Sequence, residues 1–137
     1  MVADSKLVVR GSTGRVLGLV VGDLIMFGLF VALGRRSHSE SVGVGEIVTV
    51  AAPFAIGWLA VAPWFKLFRP DVYGAPKLAL QRTALAWTFA APLGLALRTV
   101  AWGREFKPTF AITTYIFTLL LLLGWRGWAA RKMRKIG

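Results

Sequence analysis

At 137 residues the chain fits a single domain, and 56% of it is hydrophobic while only 17% is charged. A net charge of +11 would suggest nucleic acid in a soluble protein, but here the basic residues flank long apolar runs, so anionic lipid headgroups are the expected partner and nucleic acid is excluded. The lack of cysteine removes disulfides, thiolate catalysis and cysteine metal sites, and one histidine, His38, builds no metal site alone.

Lys6, Arg10 and Arg15 precede the first apolar run, 16–34. That run is longer than the apolar part of a signal peptide, and Gly34-Arg35-Arg36 is no small-residue cleavage site, so it reads as a retained helix. A hydrocarbon core about 30 Å thick takes about 20 apolar residues in a helix. The runs at 47–65, 78–102 and 109–129 also meet that length. The stretch 117–124, with its consecutive leucines, shows none of the alternation that a barrel strand needs. The predicted fold is therefore all-α: one integral membrane domain built as a four-helix antiparallel bundle. The links 35–46, 66–77 and 103–108 are short, which makes successive spans antiparallel neighbours. Pro108 suits the first turn of the fourth span, and Pro92 should kink the third.

Lysine and arginine set the orientation. The N-terminus, the second link and the C-terminal tail share one side, which holds eleven basic residues (Arg126 among them) against four on the other: Arg35, Arg36, Arg104 and Lys107. Both termini are expected on the cytoplasmic or stromal side of a plasma or thylakoid membrane. The basic tail from Arg131 to Lys135 would meet anionic headgroups. Trp64, Trp125 and Trp128 fall near one interface and Trp102 near the other, while Trp58 and Trp87 lie deeper and read as packing residues.

Asp23 lies seven residues into the first span, roughly 10 Å below the interface at 1.5 Å per residue. An acid at that depth needs a partner or water, and Arg82, at matching depth in the third span, is the expected one. A proton- or ion-handling acid is the competing reading. Arg98 is about 24 Å further along the same helix and belongs near the opposite interface. There Arg35, Arg36, His38, Glu46 and Arg98 would form a second polar cluster, with Glu46 pairing Arg98 or Arg36. The bland alternative for each arginine is snorkelling to headgroups. Gly14, Gly18 and Gly22 recur every four residues in the first span, and Ala86, Ala90 and Gly94 in the third. Such stripes let helices approach closely in lipid, inside the chain or against another subunit.

The order of motifs is Asp23, then Gly34-Arg35-Arg36-Ser37-His38, Pro53-Phe54, Gly57-Trp58, Ala86-Trp87, Pro92-Leu93-Gly94, Leu97-Arg98 and Leu123-Gly124-Trp125-Arg126. It resembles the DUF3054 family of small four-helix membrane proteins. That resemblance implies the topology and supplies no activity and no catalytic residues.

The sequence carries no serine–histidine–acid set, no phosphate loop and no paired catalytic carboxylates, so an enzyme is not expected. The expected function is that of an accessory or structural subunit of a larger membrane assembly, photosynthetic or respiratory. The alternative is a small solute or proton transporter or channel acting as an oligomer. Lipids are the expected bound molecules. Chlorophyll or carotenoid would enter only within a photosynthetic complex, with His38 the only candidate pigment ligand.

Overall fold

The computed structural model describes residues 2–37 and 43–136, with side chains over 14–36 and 43–132. The described residues form helices and no strands: α1 (Val2–Ser37), α2 (Val44–Val61), a 3-10 turn (Ala62–Phe65), the short α3 (Pro70–Tyr73), α4 (Pro76–Val100) and α5 (Pro108–Ile136). Four segments are long and apolar enough to cross a membrane: Gly14–Arg36, Val44–Phe65, Pro76–Val100 and Pro108–Lys132. Each overlaps a predicted span. α3, α4 and α5 all begin on proline, whose missing N–H falls where a helix has no partner for it. α4 remains one helix through Pro92, and α2 through Pro53.

α2 packs on α4, α4 on α5, α5 on α1, and α1 on α2. The ring leaves α1 and α4 on opposite corners. Between α4 and α5, Arg98 lies over Phe110, Trp87 bonds Tyr115, and Leu80 sits beside Gly127. Numbers fall along one helix as they rise along the other, so α5 runs back along α4. The core is largely aromatic: Phe27, Phe54, Trp58 and Trp87 are buried within 6.4 Å of one another, ring to ring, in successive pairs. Such tilted pairs add to the packing that must hold helices together where lipid is as apolar as the side chains.

The two small-residue stripes differ. Ala86, Ala90 and Gly94 are all buried, and they face α2. A Cβ on Gly57 would lie 3.0 Å from the Ala90 carbonyl oxygen and 3.1 Å from the Gly94 nitrogen, so α2 and α4 approach backbone to backbone. On α1, Gly22 is covered by the Trp125 indole, but Gly14 and Gly18 have open space.

The link after α2 folds under the bundle. Lys66 turns the chain with φ of 62°, and Leu67, Val72 and Tyr73 beyond it are buried. Tyr73 reaches Leu19 of α1 and Ala129 of α5. This end of the bundle, which also carries the chain termini, is therefore closed by apolar packing.

Candidate functional site

Two buried charges face each other inside the described part of the bundle. Asp23 of α1 is 0% exposed and Arg126 of α5 is 1% exposed. The guanidinium meets the carboxylate side-on: Arg126 Nε donates to Asp23 Oδ1 at 2.9 Å and Nη2 to Oδ2 at 2.7 Å. Two indoles complete the set. Trp125 Nε1 donates to Oδ1 at 3.0 Å, and Trp58 Nε1 from α2 donates to Oδ2 at 2.9 Å. Arg126 Nη1 donates to the Leu67 carbonyl at 2.9 Å, and the guanidinium lies 5.1 Å from the Phe68 ring centre.

The sequence builds this site locally. Asp23, Leu19 and Phe27 share the inward face of α1 at spacing four. Thr114, Thr118, Leu122 and Arg126 are the inward stripe of α5 at the same spacing. Gly22 makes room for the Trp125 ring, which any side chain there would strike. A carboxylate has about four acceptor positions, and four donors occupy Asp23. The pair is neutral, dry and bidentate, the geometry that offsets desolvation of both ions. It ties together α1, α2, α5 and the link at Leu67. All four acceptor positions of Asp23 are met from within the chain.

Asp23 does face the interior and does have a cationic partner, but that partner is Arg126 and not Arg82. Arg82 is half-buried on α4, the corner opposite α1. Depth alone did not distinguish the two arginines. In the sequence Arg126 counts among the basic residues of the terminal side, yet α5 continues for ten more residues beyond it, to Ile136, and turns it inward. Sequence reasoning also missed Trp58 and Trp125 as donors. A signal was present for one of them: in an up-down ring of four, the first helix neighbours the second, and Trp58 lies seven residues from the end of its span as Asp23 does from the start of the first.

The opposite end is different. Arg35, Glu46 and Thr49 line an open cavity of about 540 Å³ together with Arg104. Arg36 is exposed. Arg98 is absent from that lining; it donates to the Glu105 carbonyl at 3.3 Å and lies 4.1 Å from the Phe110 ring centre. The expected cluster is thus brought together only in part. His38, and with it the pigment-ligand expectation, lies outside the described residues. Among the described residues no group of three or more His, Cys, Asp or Glu could hold a metal ion.

A family described as Protein of unknown function (DUF3054) matches residues 20–129, which is most of the chain and includes Asp23, Trp58, Trp125 and Arg126. Comparison with curated proteins and with solved structures gives no match. The chain belongs to the DUF3054 family.

Proposed function

We propose that this DUF3054 chain is a non-enzymatic accessory or structural subunit of a larger membrane assembly, photosynthetic or respiratory in kind, and that it acts through contacts. The observation that carries this reading is the saturation of Asp23: the acid best placed to move a proton spends all its acceptor positions on holding the bundle closed. The stripes support it. Ala86, Ala90 and Gly94 are consumed inside the chain, whereas Gly14 and Gly18 remain open on α1 beside exposed Leu17 and Val21. A neighbouring helix could approach closely there. Both termini face the cytoplasm or stroma; with Arg126 buried, the bias is still ten basic residues against four.

Gly18→Leu places a bulky side chain in open space, so it leaves folding and insertion intact. Purification from native membranes in mild detergent should then recover the variant without the proteins that accompany the wild type. Unchanged co-purification, together with solute or proton flux in liposomes that Asp23→Asn abolishes, would replace this reading with an oligomeric transporter.

A further inference from the structure

Threonines in the spans divide into two kinds. Thr49 and Thr88 are exposed, and each donates its hydroxyl proton to its own helix, to the Gly45 and Ala84 carbonyls at 2.8 Å. That bond, one turn back, is the ordinary one for a threonine in a helix. Thr83 of α4 and Thr114 and Thr118 of α5 are buried and do not make it. Their hydroxyls meet no hydrogen-bond partner among the described residues. An unmet hydroxyl inside hydrocarbon is costly, and these three forgo the acceptor nearest to each.

Helix register puts the three in one row. Thr114 and Thr118 are a turn apart on the inward stripe of α5 that continues to Leu122 and Arg126. Thr83 lies between Leu80, which sits beside Gly127, and Trp87, whose Nε1 donates to the Tyr115 carbonyl. It is therefore level with Leu122, one turn beyond Thr118. Each step of the row rises about 6 Å, four residues at 1.5 Å. Two O–H···O bonds of about 2.8 Å span nearly that distance, so one water fits each step by length. The Phe110 and Thr114 carbonyls, a turn back from the α5 threonines, each keep a second lone pair as a further acceptor. Bulk water is near at one end only. Leu19 meets Ala129 and Asp23 meets Arg126, so α1 runs back along α5. Arg35 and Thr114 are then level with each other, and Arg35 lines the open cavity. The other end is closed by Leu67, Val72 and Tyr73.

We infer that the inner face of α5 binds ordered water, one molecule shared by Thr114 and Thr118 and a second by Thr118 and Thr83. Buried water of this kind satisfies groups that the protein leaves unmet, typically with roughly two to four polar partners. Here the partners are two hydroxyls and a backbone carbonyl. Water enters from the Arg35 end. The row stops short of Asp23, whose acceptor positions are filled, so no proton path is assigned to it. The site is one of binding and stands apart from the subunit reading.

The test is water-edited solid-state NMR on the full chain, with isotope-labelled threonine, in phosphatidylcholine bilayers. Magnetisation that starts on water should reach Thr114 and Thr118 sooner than Thr88, which is exposed at the midpoint of α4 with its hydroxyl already bonded. Thr118→Val keeps the side-chain shape and removes the hydroxyl common to both waters. The early signal should then be lost at Thr114 and Thr83, whose own hydroxyls are intact, and Thr118→Ser should retain it. If Thr118→Val does not insert, the comparison of Thr114 with Thr88 in the wild type decides alone. Transfer to Thr114 no faster than to Thr88 would overturn the inference, and so would an early signal at Thr114 that survives Thr118→Val.

Discussion

Both ends of the bundle carry charges of either sign, yet they use them oppositely. At the terminal end Asp23 and Arg126 are dry, bidentate and shared with two indoles and a backbone carbonyl. At the other end Arg35, Glu46 and Arg104 border an open cavity, and Arg36 is exposed. The difference teaches that in a membrane bundle a charge is structural when it is both deep and saturated. Near an interface a charge can be hydrated or meet headgroups, and its loss is absorbed there.

The comparison predicts a gradient of effects. Arg126→Gln leaves Asp23 buried without its cation and should lower stability by about 3–5 kcal/mol, read as an early thermal unfolding transition in detergent. The double change Asp23→Leu with Arg126→Met removes both charges and should recover part of that loss, the remainder being the cost of the Trp58 and Trp125 N–H groups and the Leu67 carbonyl left without partners. If the double variant is as unstable as the single one, the pair has a role other than mutual compensation. Trp125→Phe removes one donor to a charged acceptor and should cost about 1.5–3 kcal/mol, and it should also leave the covering of Gly22 largely in place. Arg104→Gln, at the open end, should leave the transition temperature unchanged within error. An Arg104 effect equal to that of Arg126 would end the distinction between the two regions.

The spans were legible because hydropathy is a local property. The first was read as 16–34 and occupies Gly14–Arg36; the last was read as 109–129 and occupies Pro108–Lys132. The depth of Asp23 and its need for a partner were legible for the same reason. The partner itself was not read correctly, because choosing between Arg82 and Arg126 requires knowing which helices are adjacent. Adjacency follows from the ring order, and the alternation of short links already implied it. Trp58 was read as a deep packing residue, which it is; its indole N–H was the part left out, and that N–H is what links α2 to the pair. The stripe on α4 was read as a contact surface and is one, against Gly57 and Phe54.

Asp23 and Arg126 stand 103 residues apart in the chain. At a synthesis rate of about 5–20 residues per second, roughly 5–20 seconds separate their emergence from the ribosome. Through that interval α1 is committed to the bilayer with a carboxyl group whose cation has not yet been made. Trp58 arrives early and supplies one donor, but the remaining three come only with the last helix. A ribosome that stops before α5 therefore leaves a first helix carrying an unpaired acid, a feature that membrane quality control can recognise. Completion of this protein is thus marked chemically at its beginning.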